Sequence, residues 1–220
     1  MKKENVSDAV IRRLPRYYRY LDDLHLKGIV RISSSVLGGK MGITASQIRQ
    51  DLSCFGESGQ QGYGYNVEEL RTEIGHILGV DNRHRIIVVG VGNLGRALIQ
   101  NFRFNDAGFL LEAAFDVSPV LVGGEVAGVP ILSMSELERF IPEHRPDVAV
   151  LTVPQSVAQS TADRLIGLGV RGFWNFTNVE LSSAVEGTQF EDVHFADSLL
   201  TLSYRITVQQ AKPPVPAKKL

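Results

Sequence analysis

The sequence predicts an α/β chain: an N-terminal winged helix-turn-helix domain followed by a Rossmann-like doubly wound parallel sheet. Three observations carry this. Apolar residues recur at helical spacing up to Leu78, whereas from Arg85 onward short β-branched runs alternate with helical stretches. A Gly90-x-Gly92-x-x-Gly95 run stands between an apolar strand and a helix. Positive charge gathers in residues 1–55, which hold ten Lys/Arg against five Asp/Glu, although the 220-residue chain carries a formal charge of −1.

The first helical stretch contains Val10, Ile11, Leu14, Tyr17, Tyr18, Leu21 and Leu24, and Gly28 ends it. Pro15 either opens a main helix or kinks a longer one. A short helical candidate, Ser33–Leu37, is broken by Gly38-Gly39. The next helix runs from Thr44 to Phe55, with Thr44 and Gln47 as a T-x-x-Q capping pair. Residues 56–65 form a glycine-rich loop or hairpin. Asn66 then caps a helix carrying Leu70, Ile74, Ile77 and Leu78, and residues 79–84 are the linker.

Strands are predicted at Arg85–Val89, Leu110–Asp116, Val129–Ile131, Asp147–Val153 and Gly172–Phe176, with helices from Asn93, at Ser135–Leu137 and at Gln155–Leu168. The predicted domains are residues 1–80, 85–195 and a C-terminal helix at 196–210. The proline- and lysine-rich residues 211–220 are expected to be disordered.

At 44% hydrophobic and 21% charged, the composition is ordinary globular material. No apolar run approaches the ~20 residues of a membrane helix. The opening Met1-Lys2-Lys3-Glu4-Asn5 leads into charged sequence rather than an apolar signal core, so the cytoplasm is the expected compartment. The single cysteine, Cys54, excludes an intrachain disulfide framework and a cysteine-rich zinc site, and no metal site is expected.

The glycine run points to a dinucleotide. Gly90 allows a tight turn, Gly92 lets backbone approach a pyrophosphate, and Gly95 permits close helix–strand packing. The helix opening at Asn93 offers free N–H groups and the positive end of its dipole. The cofactor-binding stretch therefore runs Gly90, Val91, Gly92, Asn93, Leu94, Gly95, Arg96. Asp116 ends the next strand, 21 residues after Gly95, where a carboxylate can bind a ribose diol and would repel a 2′-phosphate, favouring NAD⁺ and NADH. Val153-Pro154 and Asn175-Phe176 follow later strands and are placed on the nicotinamide side. Hydride transfer needs a donor or base there. These strand ends offer mostly amides, hydroxyls and apolar groups, while context puts His144 on the surface and His194 in a core or interface. The domain reads as a cofactor receptor with no catalytic residue.

On a wheel of about 100° per residue, Ile48, Leu52 and Phe55 share one side of the Thr44–Phe55 helix. Ser46, Gln47, Gln50, Ser53 and Cys54 face the other, with Arg49 on the flank. Such a front suits a DNA major groove, where Gln pairs adenine edges and Arg pairs guanine. A short preceding helix and a glycine-rich hairpin behind make winged helix-turn-helix anatomy. Among the basic residues nearby, Arg12, Arg16 and Lys40 are candidates for phosphate contacts. Asp51 lies about 60° from the apolar stripe and is expected to pair with an arginine of its own chain. At the carboxyl end of that helix the dipole disfavours a Cys54 thiolate, and hence an oxidation sensor there.

Here the motifs become specific. Thr44-Ala-Ser-Gln-Ile-Arg-Gln-Asp-Leu-Ser-Cys-Phe-Gly56, then Gly59, Gly62, Gly64 and Tyr65, resembles the Rex family of redox-sensing transcriptional repressors. So do Leu14-Pro-Arg-Tyr-Tyr-Arg19, Val89-Gly-Val-Gly-Asn-Leu-Gly95, Phe115-Asp116, Leu151-Thr-Val-Pro154 and Asn175-Phe176. The resemblance spans residues 6–208.

It implies a homodimer that holds a two-fold-symmetric operator DNA when NADH is scarce and is released by NADH. It implies a wing carrying Gln60, Gln61 and Tyr63 to DNA, and a C-terminal helix exchanged between subunits. Phe195, Leu199, Leu202 and Ile206 have the spacing such a helix requires. It also implies a switch contact between Arg19 and Asp197 across the dimer. The chain departs from many relatives at Cys54 and Gln60-Gln61, and from some at Asn101. Two other readings compete: a small NAD-dependent oxidoreductase with an accessory helical domain, and a coenzyme A binder with a protein-interaction module.

Overall fold

Arg12 and Arg13 divide the first helical stretch in two. Helix α1 (Asp8–Ile11) is one turn long, and α2 (Leu14–Leu26) begins afresh with Pro15 in its first turn, where a missing N–H leaves no bond unmade. Pro15 thus opens the main helix. The computed structural model describes residues 6–55 and 63–210. The chain divides into two compact units: Met1–Arg83 with Asp106–Gly108, and His84–Asn105 with Phe109–Leu220.

The first unit continues with β1 (Arg31–Ile32), α3 (Ser34–Met41), α4 (Ala45–Ser53), β2 (Tyr65–Asn66) and α5 (Val67–Leu78). Ser33, Thr44 and Asn66 cap α3, α4 and α5 through side-chain oxygens that accept backbone N–H groups. The capping box expected at Thr44 is half made: Thr44 accepts from the Gln47 amide N–H, but the Gln47 side chain turns elsewhere. Helix α3 passes straight through Gly38-Gly39, correcting the expected break. A Cβ at Gly38 would stand 2.6 Å from the Ile43 carbonyl oxygen, so glycine there lets the turn into α4 close against α3. Leu14, Tyr17, Leu21, Leu37, Ile48, Leu52, Leu70 and Ile74 form the buried core. Each such burial contributes roughly 1.5–3 kcal/mol. Short antiparallel β1 and β2 pair across α3 and α4, Arg31 with Asn66 and Ile32 with Tyr65; residues 56–62, including Gln60 and Gln61, lie outside the described residues, as do 211–220.

In the second unit the strands are β3 (His84–Val89), β4 (Phe109–Asp116), β5 (Glu125–Val126), β6 (Val129–Ser133), β7 (Val148–Leu151), β8 (Gly172–Asn175) and β9 (Gln189–Asp192). They form one sheet in the order β5-β6-β4-β3-β7-β8-β9, parallel except for the β5–β6 hairpin. Helices α6 (Asn93–Asn101), α7 (Leu137–His144) and α8 (Gln155–Leu168) cover both faces. Alternation along β3 explains how. Ile87 and Val89 pack with Leu137, Phe140, Ala158 and Leu165 of α7 and α8, while Ile86 and Val88 pack with Leu94, Leu98 and Ile99 of α6. The sheet is therefore doubly wound, and its strand order reverses between β3 and β7.

A last helix, α9 (Phe195–Gln210), has no buried residue. Phe195, Leu199, Leu202 and Ile206 are each about half exposed, so its apolar side has no cover within the described chain. Among the described residues no helix is long and apolar enough to cross a membrane.

Candidate functional site

In an open α/β sheet, ligands bind beyond the carboxyl ends of the strands where the order reverses. Here that point is the crevice after β3 and β7. Gly90 has φ +96°, and a Cβ on it would stand 2.8 Å from the Thr152 carbonyl oxygen. A Cβ on Gly95 would collide with the Gly90 carbonyl oxygen. Both glycines are fixed by packing. Gly92, the N-cap of α6, differs: nothing lies within 4 Å of where its Cβ would be, so its backbone is open to an approaching group. Asn93 and Arg96 are exposed beside it and Leu94 is half-buried.

Asp116 closes the crevice from β4. Its Oδ2 accepts the Val91 N–H at 2.6 Å and its Oδ1 accepts the Ser118 N–H at 2.8 Å. The carboxylate therefore braces the glycine turn as well as facing the expected ribose position. Val91 is itself buried. Thr152, which sequence reasoning missed, donates its hydroxyl to the Gly90 carbonyl oxygen at 2.7 Å. The signal for it was a polar residue at the end of an apolar strand, within the Leu151-Thr-Val-Pro154 run.

On the expected nicotinamide side, Val153 is half-buried and Pro154 exposed. Asn175 is corrected. It is 1% exposed, donates to the Val179 carbonyl and Asp192 Oδ1, and accepts from the Thr177 N–H and hydroxyl. With both ends of its amide spent, it builds the loop after β8 and has nothing left for a ligand. Phe176 is buried against Trp174. His144 is half exposed and stacks on Phe140 with ring centroids 3.9 Å apart, away from the crevice on α7.

In the first unit, α4 buries Ile48, Asp51 and Leu52 and exposes Ser46, Arg49, Gln50, Ser53 and Cys54. Asp51 is wholly buried. Arg13 Nε and Nη2 donate to its two oxygens at 2.7 and 2.8 Å, the Tyr17 hydroxyl donates at 2.7 Å, and Gln47 Nε2 donates at 2.8 Å. Burial alone pushes the Asp51 carboxyl up, but these donors outweigh it and hold it below the usual range. Burial and the adjacent carboxylate push the Tyr17 phenol well above its ordinary value. Gln47, expected on the exposed front, is half-buried and gives one N–H of its amide to this internal network.

The other head residues are placed as follows. Arg49 Nη1 donates to Ser34 Oγ at 3.1 Å, tying the flank of α4 to the start of α3. Arg12 pairs with Asp8, and Arg16 donates to the Met41 carbonyl at 3.1 Å. Arg16, Arg19 and Lys40, together with Tyr20, Asp23 and Met41, line a pocket of about 120 Å³. Tyr63 is 70% exposed, with the Arg31 guanidinium 5.8 Å from its ring centroid. Asp197 is exposed in the first turn of α9. Among the described residues no group of three or more His, Cys, Asp or Glu side chains is placed to hold a metal ion.

Comparisons with known proteins agree with this division. The family model described as "Putative DNA-binding protein N-terminus" matches residues 5–53, and a CoA binding domain model matches residues 81–179. The redox-sensing transcriptional repressor Rex of Clostridium beijerinckii is 47% identical over 96% of this chain and 99% of its own. That of Thermoanaerobacter pseudethanolicus is 46% identical over 95% of this chain and 93% of its own. Among solved structures, RSP, a Rex-family repressor, superposes with a TM-score of 0.87 at 45% identity, covering 94% of this chain and 97% of that one. RSP in complex with β-NAD⁺ and operator DNA gives 0.86 at 46% identity, covering 94% and 95%.

A helix-turn-helix head carried on a dinucleotide-type α/β unit is the architecture of a ligand-responsive transcriptional regulator. With near-complete coverage by relatives of one kind, the assignment narrows further. The chain belongs to the Rex family of redox-sensing transcriptional repressors.

Proposed function

We propose that this chain is a cytoplasmic, homodimeric repressor that binds a two-fold-symmetric operator when NADH is scarce and leaves it when NADH binds. The observation that carries this is the open glycine turn: Gly92 faces free space at the switch point of the sheet, with Asp116 behind it. The fit to a dinucleotide is direct. Gly90 and Gly95 are glycine because backbone is packed against them, whereas Gly92 is glycine with no protein neighbour to require it. An RSP structure with β-NADH, 44% identical and with a TM-score of 0.87, supports the same ligand class.

The N–H groups of Gly90, Val91 and Arg96 are spent on Phe115, Asp116 and Gly92, so those opening α6, from Gly92 to Gly95, would hold the pyrophosphate within the Gly90–Arg96 turn, and Asp116 would take the adenosine ribose. These contacts are common to both redox forms and supply affinity without reading redox state. The two forms differ at the nicotinamide, which is cationic when oxidised and neutral when reduced. Val153 and Pro154 offer neutral walls there, and an uncompensated cation against such walls is costly. In the head, Gln50, Ser46, Ser53 and Arg49 would meet base edges and nearby phosphates, with Arg12, Arg16, Lys40 and Tyr63 on the backbone. Gln60 and Gln61 would extend the wing. The uncovered apolar side of α9 supports its exchange between subunits, with Asp197 reaching Arg19 of the other subunit. Fluorescence anisotropy of a labelled two-fold-symmetric operator tests the reading: saturating NADH should release the protein, and an unchanged operator affinity would contradict it.

A further inference from the structure

The parallel register between β3 and β4 breaks once. Ile86 faces Leu111 and Ile87 faces Ala113, so Glu112 is an inserted residue with no partner on β3. The insertion re-aims side chains. Leu111 and Ala114 pack with the α6 side, and Ala113 and Phe115 with the α7 side, so strict alternation is interrupted at Glu112. The extra residue turns a carboxylate towards α7, where the Glu112 side chain is only 14% exposed. Its Oε1 lies 3.5 Å from Arg85 Nε, and its Oε2 lies 3.4 Å from His144 Nδ1 and accepts no hydrogen bond.

Arg85 is the hub of this cluster. Its backbone N–H donates to Asp147 Oδ2 at 2.8 Å, and its Nη1 donates to the His144 carbonyl at 2.6 Å. His84 Nδ1 is 3.5 Å from the same Asp147 oxygen. The location matters. Residues 1–83 and 106–108 belong to the first unit, so chain passes from it directly into β3 at His84 and into β4 at Phe109, which are register partners. Arg85, the second residue of β3, and Glu112, the fourth of β4, tie those two strands together in their first halves. At their other ends the same strands carry Gly90 and Asp116.

We propose that Glu112 is a positioning residue for the ligand response: with Arg85 and His144 it pins the roots of β3 and β4 to α7, so that the two strands leaving the head move as one piece with the ligand crevice. A misregistered strand and a buried carboxylate oxygen without a donor are unfavourable features, and such features persist where the surrounding structure puts them to use. The inference rests on the functional reading above.

The test uses Glu112→Gln, which keeps size and removes charge, and Arg85→Met, which keeps the stem. NADH affinity and ligand-free operator affinity should stay within about two-fold of the parent protein, while the factor by which NADH weakens operator binding falls about ten-fold. An unchanged factor in both variants overturns the proposal. Amide hydrogen exchange supplies a readout independent of DNA and NADH. In the parent protein residues 85–87, 111 and 113 should exchange as slowly as Val88 and Val89, and in Glu112→Gln they should become fast while Val88 and Val89 stay slow. Rapid exchange of these residues in the parent protein overturns the clamp even if neither variant folds. A parent protein indifferent to NADH would sink the functional reading alone, leaving the clamp to be judged by exchange.

Discussion

Thr152 Oγ1 donates to the carbonyl oxygen of Gly90 at 2.7 Å, fastening the turn after β3 to the chain that leaves β7. This bond fixes the floor of the crevice at the point where the sheet changes direction. The space above it belongs to Gly92.

That distinction separates the three glycines by experiment. Gly95→Ala should cost about 1–3 kcal/mol, because its methyl group meets the Gly90 carbonyl and the backbone must shift. Gly92→Ala should leave thermal stability nearly unchanged, since it has open space and an ordinary backbone conformation. It should instead weaken NADH binding by about ten-fold or more, as its methyl group stands in the approach of the pyrophosphate. Denaturation and NADH titration of the two variants check both statements.

Asp116 has two duties, and Asp116→Ala should show both. Losing the acceptor for the Val91 and Ser118 N–H groups should destabilise the second unit by about 1–3 kcal/mol. NADH should then fail to release DNA at concentrations that release the parent protein. Operator affinity without ligand should persist, as judged by anisotropy below the melting temperature.

The buried Asp51 gives the first unit an acid limit. Its native carboxyl lies below the ordinary value, so the stabilisation is present above the unfolded-state value of about 4 and is lost as pH falls through the native one. Urea denaturation between pH 7 and pH 3 should show that loss. Arg13→Met leaves Asp51 buried without its ion pair and should cost about 3–5 kcal/mol at pH 7. An Arg13→Met protein of parental stability would remove the network from the account.

Gln50 and Gln47 sit on one helix with opposite fates. Gln50→Ala should relax base preference in an operator-variant screen, while Gln47→Ala should lower stability by about 1.5–3 kcal/mol through loss of one hydrogen bond to the Asp51 carboxylate, whose Oδ1 keeps Arg13. Arg16→Ala should weaken every sequence alike and reduce the salt slope by about one.

These pairs also show how far the sequence could be read. Long periodic helices such as α2, α5 and α8, and the glycine turn after β3, announce themselves because neighbouring residues carry the signal. Strands β1 and β9 are two and four residues long and are held by partners 17 or more residues away in the chain, so no local pattern marks them, and β5 is a two-residue arm of a tight hairpin, too short to show alternation. The inward turn of Gln47 depends on Asp51 being fixed by Arg13, 38 residues away, and that of Asn175 on Asp192, 17 residues on. A wheel or a motif shows which residues share a face, but not which polar side chain a distant partner has already claimed. Gly38 carries the complementary lesson: a residue that reads as a helix breaker stays in the helix and lets the following turn pack against it.

The central claim is that one cofactor's redox state sets operator occupancy, and the most direct measurement is operator affinity at saturating NADH against saturating NAD⁺. NADH should weaken binding by a large factor and NAD⁺ by little; moving occupancy from 99:1 to 1:99 corresponds to a difference of about 5.5 kcal/mol. Equal affinities in the two titrations would contradict the account.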